Sequence, residues 1–227
     1  MIKKLIYISL VLHSFSCFSE DILLRKENIE KLIKDYILNN PSIIIESLEK
    51  YKEKTELEMR NQLEGNINSF YSDEAYKNFP YIGKDDAEVI ITEFIDYNCG
   101  YCKKTINTVD KMYKNIKNIK IVFIDFPILS ESSEMAAKAA LASHKQNSYF
   151  QFHRELLKQR GPITQEILFK IAENLRLDIP KFKKDMQSSV INKQIEKNIL
   201  LAQDLNIRGT PTFIIGKTIL PGAYDYE

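Results

Sequence analysis

Glu88-Val89-Ile90-Ile91-Thr92-Glu93-Phe94-Ile95-Asp96-Tyr97-Asn98-Cys99-Gly100-Tyr101-Cys102 is the stretch on which the fold turns. Its apolar first half predicts a buried strand, and after Asp96-Tyr97-Asn98 a helix is predicted over about Gly100 to Lys117. Ile119 to Phe126 reads as a second strand, stopped by Pro127. Strand, helix and strand joined by one short crossover imply parallel pairing with a right-handed connection.

This arrangement sets Cys99 at a helix N-terminus, where unpaired N–H groups and the helix dipole favour negative charge. A thiolate is favoured there, which makes Cys99 the expected attacking sulfur. Cys102, one turn further in, can close a small disulfide ring and resolve a mixed disulfide formed by Cys99. Zinc binding is the competing reading. A structural zinc site wants four ligands, and the candidates beside the two cysteines are His144 and His153, which do not have finger spacing. No metal is expected. An inert structural disulfide is the other alternative, but a two-residue loop constrains an unfolded chain little.

Outward from this motif, the N-terminus carries Lys3 and Lys4, the apolar run Leu5 to Leu12, and small residues up to Ser19. That pattern predicts a secretory signal peptide over residues 1–19. Its apolar run is about half of the ~20 residues a membrane span needs, so an uncleaved anchor is the lesser reading. Lipid attachment at Cys17 is not expected, because Ser14-Phe15-Ser16 matches the bacterial lipoprotein pattern poorly. Cleavage removes Cys17 and leaves Cys99 and Cys102 in an oxidising compartment.

Residues 20–64 read as a helical arm. Ile29, Leu32, Ile33, Tyr36 and Ile37 have helical spacing. Asn39-Asn40-Pro41 interrupts them, with Asn40 the expected cap of a second helix. That helix, predicted over Ser42 to Glu64, either packs on its own domain or serves self-association. Its heptad pattern fades after Tyr51. Residues 65–82, with Gly65, Asn66, Asn68, Ser72 and Asp73, read as a linker to a domain over 83–227. Ser132 to Asn206 reads helical throughout. Arg208-Gly209-Thr210-Pro211 then breaks the pattern before a strand at Thr212 to Ile215 and a hairpin partner at Lys217 to Leu220.

The 227 residues suit one domain with additions or two small ones. Hydrophobic content of 44% and charged content of 28% exclude wholesale disorder. A net charge of +1 without long single-sign runs excludes a nucleic-acid binder driven by bulk phosphate attraction.

Glu93-Phe94-Ile95-Asp96-Tyr97-Asn98-Cys99-Gly100-Tyr101-Cys102-Lys103 resembles the active-site segment of the DsbA-like branch of the thioredoxin superfamily. The likeness extends over about Val89 to Gly222. It implies an α/β, thioredoxin-like fold with a helical insertion over about 130–188, preceded by the N-terminal arm. That arm resembles, more loosely, the arm of the oligomeric suppressor-of-copper-sensitivity oxidoreductases. The family's final C-terminal helix is expected to be missing, since the chain stops at Glu227, which would leave an apolar sheet face uncovered.

The resemblance further implies that Thr210-Pro211 is a cis-proline loop facing the disulfide, with the Thr210 backbone free to pair with an extended substrate strand. An ordinary trans turn is the alternative. Glu93 matches the family's acidic residue beneath the disulfide, where a buried carboxyl has a raised pKa and relays a proton with Cys102. The competing reading is a strand-end glutamate facing solvent. Tyr97, Tyr101 and Phe126 are rim or core residues on equal grounds, and His153 reads as structural. The Gly100-Tyr101 dipeptide and Thr210 resemble the dimeric periplasmic isomerases rather than the strong oxidases.

The implied function is a periplasmic thiol–disulfide oxidoreductase that forms or isomerises disulfides, with oxidase, isomerase and reductase all open. It implies no cofactor beyond the redox disulfide. Its implied partners are unfolded or misdisulfided secreted proteins, a membrane redox partner and further copies of the chain. The non-enzyme alternative is an envelope scaffold protein that works through its arm.

Overall fold

The computed structural model describes residues 25–226, so the expected signal peptide and Cys17 lie outside the described residues. The chain divides into two compact units between Arg60 and Asn61.

In the first unit, helix α1 covers residues 25–39, and α2 (Ser42–Ser72) begins after Asn40 and Pro41. The Asn40 side chain donates from Nδ2 back to Tyr36 O at 2.8 Å, so it closes the preceding helix rather than opening the next. Ile29, Leu32, Ile33 and Tyr36 on α1, and Ile44, Ile45, Leu48 and Tyr51 on α2, are all exposed. Pairs at i,i+4 spacing, such as Lys50–Glu46 at 2.7 Å, line the same helices and are worth only ~0.3–0.5 kcal/mol each.

The second unit begins inside α2. Residues 65–72, expected as linker, are helical, and 65–82 lies within the second unit. Ile67 and Phe70 are buried and Leu63 packs beside them, while Gly65, Asn68 and Ser69 face outward. The small polar residues that suggested a loop are thus the solvent face of an amphipathic helix. A 3-10 turn (Glu74–Asn78) follows and buries Tyr76, with Phe79 buried just after it. Then comes edge strand β1 (Tyr81–Gly83), which the sequence reading missed. Gly83, at φ 101°, closes β1 against its neighbour: a Cβ there would meet Ile119 O at 2.0 Å.

Strand β2 (Val89–Ile95), helix α3 (Gly100–Asn115) and strand β3 (Ile119–Asp125) form the predicted crossover unit, with β2 and β3 parallel from Val89↔Ile119 to Ile95↔Asp125. Five helices follow: α4 (Glu131–His144), α5 (Tyr149–Lys158), α6 (Gln165–Asn174), α7 (Ile179–Met186) and α8 (Ser189–Asp204). Ser130, Thr164, Asp178 and Ser188 cap α4, α6, α7 and α8 through side-chain oxygens. Strands β4 (Thr212–Ile215) and β5 (Thr218–Pro221) complete a mixed five-stranded sheet in the order β1-β3-β2-β4-β5.

The sheet separates two cores. Ile91, Ile95, Ile121 and Phe123 face Val109 of α3 and Phe152 and Leu156 of α5. Phe94, Val122, Ile124 and Ile214 face Ile67, Phe70, Ala202 and Leu205. Among the described residues none after β5 is helical. An apolar groove lined by Val89, Ile91, Met112, Ile116, Phe213 and Leu220 lies there, bordered by Tyr224, whose carbonyl accepts from Thr108 Oγ1 at 2.9 Å.

Candidate active site

Cys99 is the N-cap of α3, and its backbone is extended where the helix begins at Gly100. Both cysteines are free thiols; Cys99 is 7% exposed and Cys102 is fully buried. The Thr210–Pro211 peptide is cis, as the resemblance implied, and Cys99 Sγ donates to Thr210 O at 3.1 Å. Gly100 and Tyr101 open the helix beside it, and Tyr101 is 64% exposed, which makes it a rim residue.

Burial pushes the Cys102 thiol well above its ordinary range, and the nearby Glu93 carboxyl and Cys99 add to the rise. Glu93 is buried on β2, so the solvent-facing reading fails. Burial raises its carboxyl to about 7, against the lowering effect of a hydrogen bond from Thr105. Thr105 Oγ1 lies 2.8 Å from both Glu93 Oε1 and Cys102 O. A hydroxyl has one hydrogen to give, and here it faces two acceptor oxygens. Both contacts are satisfied together when Glu93 is protonated and donates to Thr105, which in turn donates to Cys102 O. The raised pKa and this geometry both favour the neutral carboxyl, which lies one hydroxyl away from the Cys102 backbone carbonyl.

The turn that carries Cys99 is held by three consecutive side chains. Asp96 accepts from Asn98 N at 2.8 Å through Oδ1, and from Ile128 N and Leu129 N at 2.9 and 3.0 Å through Oδ2. The Tyr97 hydroxyl lies 3.3 Å from that of Tyr149 and 3.2 Å from His153 Nδ1. Asn98 Nδ2 faces the hydroxyls of Ser130, Ser132 and Ser133 at 3.1, 2.9 and 2.9 Å. Tyr97 and Phe126 are therefore core residues, not rim. His153 is buried, and its pKa is lowered to about 3 by burial and by the adjacent Arg154, which fits its structural reading.

Sequence reasoning gave no role to Asp96, Asn98, Asp125, Tyr149, Ile128 or Leu129. Ile128 and Leu129 are half-exposed apolar residues anchored through Asp96 next to the cysteine turn. The available signal was their position directly after Pro127, at the end of the second strand. Among the described residues no cluster of His, Cys, Asp and Glu is arranged to hold a metal ion.

A dithiol at a helix N-cap, facing a cis-proline loop on a thioredoxin-like sheet, defines a thiol–disulfide oxidoreductase. The chain belongs to the DSBA-like thioredoxin domain family, whose model matches residues 90–227, and residues 26–58 match the copper resistance protein ScsC N-terminal domain. It is 29% identical over 164 residues to the probable disulfide bond formation protein D of Bacillus anthracis, covering 66% of this chain and 76% of that protein. Among solved structures it resembles the thiol-disulfide exchange protein alpha-DsbA2 from Wolbachia pipientis, at 32% identity and a TM-score of 0.68, over 74% of this chain and 92% of that one. A structure of Proteus mirabilis ScsC in a transitional conformation matches 89% of this chain and 92% of its own, at 26% identity and a TM-score of 0.64.

Proposed function

We propose that Cys99 and Cys102 form a redox couple that makes or reshuffles disulfides in secreted proteins, in the bacterial periplasm. The observation that carries this reading is the placement of the two sulfurs. Cys99 caps α3 and bonds Thr210 O, while Cys102 is buried beneath it, with the Glu93 carboxyl, raised by burial to about 7, close by.

In the oxidising direction a client thiolate attacks Cys99 Sγ and the Cys99–Cys102 bond breaks. Cys102 leaves with the electron pair, and the Glu93 carboxyl supplies its proton through the buried site. A second client thiolate then attacks the client sulfur of the mixed disulfide. Cys99 leaves as a thiolate favoured by the helix N-terminus. Two electrons have passed from client to enzyme, and a membrane redox partner would take them onward. Tyr101, Ile128 and Leu129 offer apolar contact to an unfolded client, and the Thr210 backbone offers strand pairing.

Gly100-Tyr101 and Thr210 support isomerisation alongside oxidation. The exposed apolar residues of 25–60 and the match to an ScsC arm support self-association, which would gather several sites around one client. The basic, apolar and small-residue order of the N-terminus supports export.

The test is the equilibrium of the pair against glutathione, read by thiol trapping. A potential of roughly −120 to −180 mV is expected, on the scale of oxidases and isomerases; a value near roughly −270 mV would make the protein a reductase. No exchange at all would overturn the catalytic reading.

A further inference from the structure

A second carboxyl is buried on the same face of the sheet as Glu93. Asp125 ends β3, pairs in register with Ile95 and is 1% exposed. Tyr149 of α5 donates to its Oδ1 at 3.0 Å, and Oδ2 has no partner among the described residues. From Tyr149 the contacts continue to Tyr97, two positions before Cys99, and from Tyr97 to His153 Nδ1.

Each hydroxyl in this chain has one hydrogen, so its bonds must run in one direction or the other. With Asp125 ionised, Tyr149 donates to Asp125, Tyr97 donates to Tyr149, and His153 donates its Nδ1 hydrogen to Tyr97. With Asp125 protonated, the order can reverse: Asp125 donates to Tyr149, Tyr149 to Tyr97, and Tyr97 to His153 Nδ1.

We propose that Asp125 is a positioning residue whose ionisation acts on the Asp96–Cys99 turn through Tyr149 and Tyr97, and so makes the Cys99/Cys102 equilibrium depend on pH. This inference rests on the redox reading of the cysteine pair. The groups around Asp125 leave its charge uncompensated. From the turn after β2 come the Asp96 carboxylate and Tyr97. From α5 come Tyr149 and His153, with Arg154 adjacent to His153. From β2, Glu93 acts on Tyr149, and from α4 the His144 ring meets Tyr149 edge-on at 6.0 Å. From α8, Asn198 donates from Nδ2 to the Asp125 backbone carbonyl at 2.8 Å. Among the described residues no lysine or arginine pairs with it. Burial accordingly raises its carboxyl to about 7.

The direction of the effect follows. An anion at Asp125 repels the Asp96 carboxylate that fixes the turn, and by the same like-charge effect it disfavours a further negative charge at the end of that turn. A thiolate at a helix N-terminus favours the reduced form of such a pair, so ionising Asp125 shifts the equilibrium toward the disulfide. Asp125→Asn fills the same space and keeps the carboxyl's uncharged state at every pH.

The experiment equilibrates the full chain with reduced and oxidised glutathione from pH 5 to 8.5 and traps thiols, in the unmodified protein, Asp125→Asn and Tyr149→Phe. At pH 5 the unmodified protein and Asp125→Asn are expected to agree. By pH 8 Asp125→Asn should be more reduced by about fivefold, the lower end of coupling between two sites. Taking the ratio of variant to unmodified protein cancels glutathione and Glu93, which are common to both. Tyr149→Phe removes the hydroxyl that steadies the carboxylate, so its departure from Asp125→Asn should begin at higher pH than in the unmodified protein. A ratio constant across pH overturns the proposal, since a purely structural loss would act equally at every pH. Should Asp125→Asn fail to fold, an unmoved pH profile in Tyr149→Phe overturns it instead. An unmodified protein that exchanges at no pH overturns the redox reading, and this inference with it.

Discussion

On one face of the sheet β2 and β3 bury two carboxyls, Glu93 and Asp125; on the other they bury Phe94, Val122 and Ile124 against the end of α2 and α8. The strands are the same and the side chains alternate between them. The face toward α3 and α5 retains groups that are costly to bury and gives them hydroxyl partners: Thr105 for Glu93, Tyr149 for Asp125. Toward the opposite face β2 and β3 place no carboxyl, and Lys120 on β3 reaches Asp85 at 2.6 Å and the ring of Tyr81 at 4.1 Å. Both faces are apolar cores, but residue parity along the two strands confines the buried carboxyls to one of them.

The sharpest test of that division is Cys99→Ser. It should abolish thiol exchange in a glutathione or insulin-reduction assay while leaving the urea midpoint nearly unchanged. Phe94→Ala, on the other face, should do the reverse. Emptying a fully buried aromatic site costs about 3–5 kcal/mol in denaturant unfolding, with exchange retained in the protein that remains folded.

The carboxyl face also predicts how stability varies with pH. Glu93 and Asp125 are raised from 4.5 and 3.8 to about 7, so the folded state holds protons that the unfolded chain has already released. Stability should therefore fall as pH rises from about 4 to about 7 and level off above that. Glu93→Gln or Asp125→Asn should flatten this slope by about 1–3 kcal/mol across the window, measured as melting temperature against pH. A parity-matched change on the opposite face, such as Ile124→Val, should lower the whole curve by about 0.5–1.5 kcal/mol and leave its slope intact. The smallest effect on stability is expected in the arm. Leu48→Ser, at an exposed site, should move unfolding by less than about 0.5 kcal/mol, while light scattering reports reduced self-association.

The crossover unit, the late hairpin and the cysteine pair were legible because apolar runs and a two-residue cysteine spacing are local signals. Residues 65–82 were misread because composition was weighed above period. Gly65, Asn66 and Asn68 look like a loop, yet Leu63, Ile67 and Phe70 already carry helical spacing. Strand β1 is three residues long, too short for any pattern to show. Asp125 and Tyr149 lie 24 positions apart and meet only because the insertion folds back over β3. No local rule connects them.

The three serine hydroxyls around Asn98 bear on how this domain can be cut or grafted. Ser130 caps α4, and with Ser132 and Ser133 at the start of that helix it receives the Asn98 amide, one residue before Cys99. The first helix of the insertion and the redox turn therefore share one junction. Trimming α4–α7 to obtain a minimal thioredoxin core would release Asn98 from Ser132 and Ser133 and Tyr97 from Tyr149 in a single excision. Transplanting the Cys-Gly-Tyr-Cys loop into another scaffold would carry the sulfurs but leave their anchorage behind.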